Sequence, residues 1–174
     1  MPTKVATAAA AASAPSAAKP PTTASTKDER PEDAAASAHA EDDQGGVRSG
    51  TFSFSDGAKY KGEFTTQHGR VVRHGVGLFV SGPERYDGQW EGDEMHGSGV
   101  YHFATGARYE GAFEHNVFHG AGVYKWADGA LYDGAWHVGR MHGDGRYVDK
   151  DGVVWRGRFF NGKYDNGRVF HTLR

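Results

Sequence analysis

The sequence predicts an all-β protein, a single-layer, curved antiparallel meander of β-hairpin repeats with about 11 strands, after a disordered N-terminal tail. Three observations predict this fold. The 174 residues include 26 glycines and 22 aromatic residues but no cysteine, and every aromatic residue lies between Phe52 and Phe170. Aromatic residues and glycines recur with a period of 23 residues. Within each repeat, side-chain character alternates with the period of a β-strand.

The first 46 residues have a different composition from the rest. They consist mainly of Ala, Ser, Thr, Pro and charged residues, and they contain no aromatic residue. Such a segment cannot bury enough apolar surface to offset the entropy lost when a backbone becomes ordered. We therefore expect residues 1–46 to form a disordered tail and residues 47–174 to form one repeat domain.

Each repeat opens with an aromatic residue, and these residues are 23 positions apart: Tyr86, Tyr109, Tyr132 and Trp155. A glycine follows two residues later and a second aromatic residue two further on. Ten residues after the first three comes His-Gly-x-Gly, beginning at His96, His119 and His142. In an earlier copy, which starts at Tyr60, this motif comes four residues late. The delay predicts a loop inserted between about Thr65 and Arg73.

These motifs divide the repeat domain. It comprises a half repeat at 47–59, repeats at 60–85, 86–108, 109–131 and 132–154, and a degenerate last repeat at 155–174. End repeats are often degenerate because nothing stacks beyond them. Both end strands present unpaired backbone edges, so a homodimer through an end strand is one expectation for assembly.

Inside a repeat the pattern predicts a hairpin. Tyr109, Gly111 and Phe113 should share one face of a strand, with the intervening residues on the other. Asp-Gly pairs such as Asp128-Gly129 predict tight turns between repeats. A further column, Asp93, Asn116, Gly139 and Gly162, favours residues that tolerate positive φ, so it predicts a left-handed turn position. The glycine columns leave room for neighbouring rings to lie against the backbone.

The sequence resembles the MORN (membrane occupation and recognition nexus) repeat family. The resemblance rests on Tyr-x-Gly-x-Trp, His-Gly-x-Gly and Asp-Gly at fixed spacing, and it covers about residues 47–170. It implies an elongated, curved sheet with a groove lined by the repeat aromatics. It implies no single function, because such repeats occur in ciliary, cytoskeletal, junctional and enzyme proteins, in which any chemistry belongs to a separate domain.

No pattern of residues predicts catalysis, a cofactor or a metal site. His74, His96, His119 and His142 lie in equivalent positions of successive hairpins, about 10 Å apart, which is too far to share one zinc ion. Carboxylates such as Glu110 and Asp133 repeat along a surface instead of meeting in a pocket. The sequence contains neither a Gly-x-Ser-x-Gly motif nor a phosphate-binding loop. We therefore expect a non-catalytic protein.

Two binding hypotheses remain. The first is a protein-binding scaffold that takes a helix, a peptide or an axonemal or cytoskeletal protein in a groove lined by Tyr86, Trp90, Tyr109, Phe113, Tyr132, Trp136 and Phe159. The alternative is peripheral binding to an anionic, phosphoinositide-containing membrane through Arg140, Arg146, Lys150, Arg156, Arg158, Lys163 and Arg168. A continuous basic stripe, which is typical of nucleic-acid binders, is absent from the sequence.

Location is predicted only in outline. Without cysteine there can be no disulfide and no thiol-linked lipid anchor, so an intracellular location is the expectation. The family resemblance implies the cytoplasm or cytoskeleton, with the cilium or flagellum as a more specific expectation.

Overall fold

The computed structural model describes residues 46–167 and 170–173. The regular elements of these residues are twelve β-strands: β1 Arg48–Ser53, β2 Lys59–Gln67, β3 Arg70–Ser81, β4 Glu84–Glu91, β5 Glu94–His102, β6 Arg108–Glu114, β7 Val117–Lys125, β8 Leu131–His137, β9 Arg140–Val148, β10 Val154–Phe160, β11 Lys163–Asp165 and β12 Phe170–Thr172. Except for Gly46, the predicted disordered tail lies outside the described residues.

All twelve strands belong to one sheet and follow one another in sequence order from β1 to β12. Every neighbouring pair is antiparallel. The predicted all-β meander of hairpin repeats is therefore confirmed. The observed twelve strands exceed the expected number of about 11 by one, and the last two strands are short.

The core is built from rings that lie over glycines. Tyr109 and Phe113 stand on the same strand, two residues either side of Gly111, yet their ring centroids are 5.1 Å apart. The sheet register shifts by a β-bulge between Gly111 and Phe113, which bends the strand and brings the rings together. The same geometry recurs at Tyr86 and Trp90, whose centroids are also 5.1 Å apart.

Hydrogen bonds hold the tyrosine and tryptophan rings in this position. The Tyr109 hydroxyl donates to the carbonyl oxygen of Ala112 at 2.9 Å. The indole Nε1 of Trp136 donates to the carbonyl oxygen of Gly122 at 3.0 Å. A Cβ added to Gly111 would lie 2.5 Å from the Cα of Gly122, so no larger residue fits there without displacing backbone. The glycine columns are therefore required by the packing of the rings.

The predicted left-handed turn column is confirmed, with φ of 69° at Asp93, 63° at Asn116, 71° at Gly139 and 83° at Gly162. These turns also tie successive hairpins together. The side-chain oxygen of Asn116 accepts a hydrogen bond from the backbone N–H of Met95 at 2.8 Å, and the Asn116 N–H donates to the Met95 carbonyl at 3.1 Å. An equivalent pair of bonds joins Asp93 to Arg73.

The prediction that the insertion near Thr65 forms a loop is wrong. The extra residues extend β2 and β3, and they pair as Thr65 with Val72, Thr66 with Val71 and Gln67 with Arg70. The inserted residues are rich in Thr and Val, which favour strands. The insertion therefore lengthens a hairpin and adds no irregular segment.

Changing Gly111 to alanine should destabilise the protein by about 1–3 kcal/mol, because the new methyl group meets backbone atoms of the adjacent strand. Chemical denaturation measures the loss. Ser98→Ala, on the neighbouring strand and opposite Ala112, is the matched control and should change stability little. Equal effects of the two substitutions would contradict the close approach of backbone and ring.

Stability should fall in alkaline solution. Burial raises the pKa of the Tyr60 phenol to about 12, and burial also raises the pKa of Tyr86, Tyr101, Tyr109 and Tyr132. Because the fold favours the neutral phenol, this stabilisation is complete below the ordinary tyrosine pKa of about 10 and is lost as pH rises above it. A free energy of unfolding that stays constant between about pH 9 and about pH 11 would contradict this cause.

Candidate binding face

The seven rings predicted to line a groove lie in the core. Tyr86, Trp90, Tyr109, Phe113, Tyr132, Trp136 and Phe159 are each at most 2% exposed. Their surfaces are occupied by one another, as in the edge-to-face contact of Tyr132 with Phe159 at 4.9 Å between centroids. This placement corrects the expectation of an open aromatic groove. A partner that binds the surface of the described residues would contact the side chains that surround the rings.

The other side of the sheet is accessible, and we call it the open face. It carries the residues that alternate with the rings and glycines along each strand. Glu110 and Ala112, for example, stand between Tyr109 and Phe113, and they pair across the sheet with Val100 and Ser98 of β5. Fold-forming side chains and accessible side chains therefore occupy opposite faces.

A strip of mainly aliphatic and small residues runs along the middle of the open face, and Asp87 and Gln89 interrupt it at β4. We call it the apolar strip, and it comprises Val76, Leu78, Val100, Ala112, Ala121, Val123 and Ala135. Val76 is 55% exposed, and the other strip residues are half-buried or exposed. The strip crosses β3 to β8, which is about 24 Å at the usual strand spacing.

Arginine–carboxylate pairs lie along one side of the strip. Their carboxylates extend into it, because Asp87 pairs across the sheet with Leu78 and Val100, and Glu110 pairs with Val100 and Val123. Arg85 contacts Asp87 at 2.9 Å, and Arg108 contacts Glu110 at 2.6 Å. Each pair lies on a single strand and repeats in the next hairpin. Because these groups are about half exposed, the pairs contribute little to stability. They give this side of the strip a polar edge.

The opposite border is rich in histidine. His96 lies 3.5 Å from Glu91, His119 lies 3.2 Å from Glu114, and the His119 ring contacts that of His137 at 5.3 Å between centroids. These histidines thus pair with a carboxylate or with each other along the hairpin ends. Among the residues that the structure describes, no group of three or more His, Asp or Glu side chains is arranged to hold a metal ion.

His115, in the turn between β6 and β7, joins this border. Its Nδ1 lies 2.7 Å from a carboxylate oxygen of Glu94. The hydrogen bond to Glu94 raises the pKa of His115. Protonation of His115 therefore strengthens a contact between successive hairpins at the surface.

The predicted membrane-binding residues are mostly brought together. Strand alternation places Arg140, Arg146, Arg156, Arg158 and Lys163 on the open face, at its C-terminal end. Arg146 and Arg156 are direct cross-strand partners. Lys150 lies instead in a turn, where it pairs with Asp151 at 3.0 Å, and Arg168 lies outside the described residues.

An open depression of about 670 Å³ lies at the N-terminal end of the open face. Its walls include Ser49, Thr51, Lys61, Glu63, Val76, Leu78 and Asp87, together with glycines of the same strands. Val76 and Leu78 are the first two residues of the apolar strip. The strip therefore begins inside this depression and continues toward β8.

Sequence reasoning did not identify the apolar strip, although a signal for it was present. Val100 and Val123 are 23 residues apart, and each lies between a repeat glycine and a repeat tyrosine. Alternation alone places such residues opposite the rings. The sequence does not show which of the two faces is closed. That depends on how completely the rings cover each other, and this coverage follows from the bends at the bulges.

Comparison with known proteins agrees with this architecture. The MORN repeat family model matches residues 86–108, 109–131 and 132–154. These boundaries are those of three predicted repeats, and they enclose most of the apolar strip. No curated protein was found to match the chain. Within the described residues, no helix has the length and apolar character needed to cross a bilayer. The match to three consecutive repeats, each a hairpin of the observed sheet, shows that residues 86–154 consist of three MORN repeats.

Proposed function

We propose that the chain is a non-catalytic scaffold that binds a protein partner on the open face. The observation that carries this proposal is an accessible face on which apolar and small residues alternate with carboxylates, opposite a face that the rings close. Protein interfaces commonly have an apolar centre and a polar rim. A helix of about 16 residues or an extended segment would cover the strip's length of about 24 Å.

The shape of the strip also allows the backbone of a partner to approach the sheet closely. Ala112, Ala121 and Ala135 lie on adjoining strands, with Ala121 paired to Ala135. Small side chains allow a partner to come close to the sheet, while Val100 and Val123 supply apolar contact beside them. The charged borders would then fix the orientation of the partner more than its affinity.

Placing an arginine at Ala121 should block this surface. Ala121 is exposed at the centre of the strip, so Ala121→Arg should weaken partner binding at least about tenfold while the fold is retained. Ala127→Arg is the matched control, because Ala127 is exposed in a turn outside the strip. Affinity capture from cell extract followed by titration with the captured protein measures the difference. Equal binding by both variants would exclude the strip as the site.

The buried rings provide a poor test of binding. Trp136 is 2% exposed, and its loss to alanine should cost about 3–5 kcal/mol of stability. Loss of partner binding in such a variant would report unfolding. Open-face substitutions separate recognition from folding, because the rings and glycines are untouched.

We further propose that the partner belongs to a cytoskeletal or ciliary assembly. The family resemblance supports this context, and an extended array with one accessible face is suited to joining components. Proximity labelling with the full chain, compared with its Ala121→Arg variant, tests the proposal. Axonemal or cytoskeletal proteins should be labelled by the wild type and lost from the variant.

A second candidate function is binding to an anionic membrane surface through the C-terminal end of the open face. The observation in its favour is the shared face of Arg140, Arg146, Arg156, Arg158 and Lys163. Arg146 is opposed to Arg156 on one side and to Asp133 on the other, so a carboxylate of the sheet offsets part of this charge. The Arg146 Nε is also buried without a hydrogen-bond partner in the described structure.

Vesicle sedimentation over a salt series tests the membrane candidate. Wild type should bind vesicles that contain phosphoinositide at low salt and release them as salt rises, because surface attraction is screened. Arg156→Glu combined with Arg158→Glu should abolish binding. Lys150→Glu, in the turn, is the control and should have a smaller effect. Binding that does not respond to salt would contradict the electrostatic mechanism.

A further inference from the structure

One position that differs among the four complete repeats is the residue of the open face that stands opposite each β-bulge. This position holds Glu63, Gln89, Ala112 and Ala135 in successive repeats. At each bulge the partner strand turns through a glycine of positive φ, such as Gly97 at 61° and Gly120 at 64°. Val76 and Ser98, which follow this glycine in the first two repeats, direct their backbone N–H toward the bulge.

In the first two repeats, a side chain accepts that N–H. The carboxylate of Glu63 accepts from the N–H of Val76 at 2.7 Å. The side-chain oxygen of Gln89 accepts from the N–H of Ser98, also at 2.7 Å. The bulge removes the ladder acceptor, and the long side chain replaces it.

In the next two repeats, the equivalent residue is alanine and has no side-chain acceptor. The corresponding N–H groups belong to Ala121 and Asp144, the residues after Gly120 and Gly143. A Cβ built on Gly120 meets only the Cβ of Ala112 within 4 Å, at 3.3 Å. The same construction on Gly97 meets the side-chain oxygen of Gln89. The space that Gln89 fills in one repeat is therefore open in the next.

We propose that Ala112 and Ala135 form two slots that each receive a glutamine or glutamate side chain from the partner. The incoming side-chain oxygen would accept a hydrogen bond from the N–H of Ala121 or Asp144, as the oxygen of Gln89 does from Ser98. A partner oxygen bonded to an exposed backbone N–H is a common mode of recognition at protein interfaces. This inference rests on the proposed function, since both slots lie on the apolar strip.

The spacing of the slots defines the partner more closely. Equivalent positions of adjacent hairpins are two strands apart, or about 10 Å. Residues seven apart on an α-helix are separated by a rise of about 10.5 Å. A helix lying across the strands would thus place two Gln or Glu residues, seven positions apart, over Ala112 and Ala135. Apolar residues between them would cover Val123.

The first test requires no partner. In the wild type, the amides of Ala121 and Asp144 should exchange with solvent at least about tenfold faster than that of Ser98, as measured by NMR hydrogen exchange. Ala112→Gln combined with Ala135→Gln should slow both amides to the rate of Ser98, and Gln89→Ala should accelerate Ser98. Wild-type amides of Ala121 and Asp144 that are as protected as Ser98 would overturn the proposal.

The second test uses a synthetic helical peptide of about 18 residues, with leucines on one face and glutamine at two positions seven apart. Wild type should bind it about tenfold more tightly than a peptide with alanine at those two positions. In the Ala112→Gln, Ala135→Gln variant this preference should vanish. Ala127→Gln, in a turn outside the strip, should keep it.

The outcomes separate this inference from the proposed function. If Ala121→Arg abolishes binding of the captured protein partner while the doubly filled variant binds it normally, the open face is the binding site but the slots are not used. If neither variant affects that partner, the proposed function falls as well. Because the filled variant copies the Glu63 and Gln89 repeats, it should fold, and its unfolding midpoint verifies this.

Discussion

The structure depends on the packing of aromatic rings against glycine backbone. A single-layer sheet has no second layer to cover its apolar side, so its rings must cover each other. This requires strands that bend sharply enough for Tyr109 and Phe113, four residues apart, to meet edge to face. The bulge supplies the bend, and Gly111 and Gly122 remove the side chains that would stand between ring and sheet.

This packing determines where binding can occur. Because Tyr109 and Trp136 are almost completely buried, the face that carries the repeat aromatics is closed to partners. The open-face residues between them do not contribute to the ring packing. The open face can therefore change from acidic at Asp87 to basic at Arg156, two equivalent repeat positions, without disturbing the core.

Much of the fold could be predicted from the sequence, because its determinants are local and periodic. The 23-residue spacing gave the hairpins, and residues tolerant of positive φ, such as Asn116, gave the turns. The extension of β2 and β3 was missed, since an insertion shows only as a shifted motif. The burial of the rings could not be predicted, because it depends on the contact between Tyr132 and Phe159 of adjacent repeats and on bends that spacing does not reveal.

The bulge position shows how one array can carry both structural and recognition sites. Where the residue opposite the bulge is Glu63 or Gln89, the repeat satisfies its own exposed N–H. Where it is Ala112 or Ala135, the repeat has the same bulge but this side chain offers no acceptor to the equivalent N–H. A substitution on the open face thus converts an internal hydrogen bond into a site for an external one. Since the rings and glycines are the same in both kinds of repeat, this conversion leaves the fold intact, and the number and spacing of alanines at this position would set which partners the array accepts.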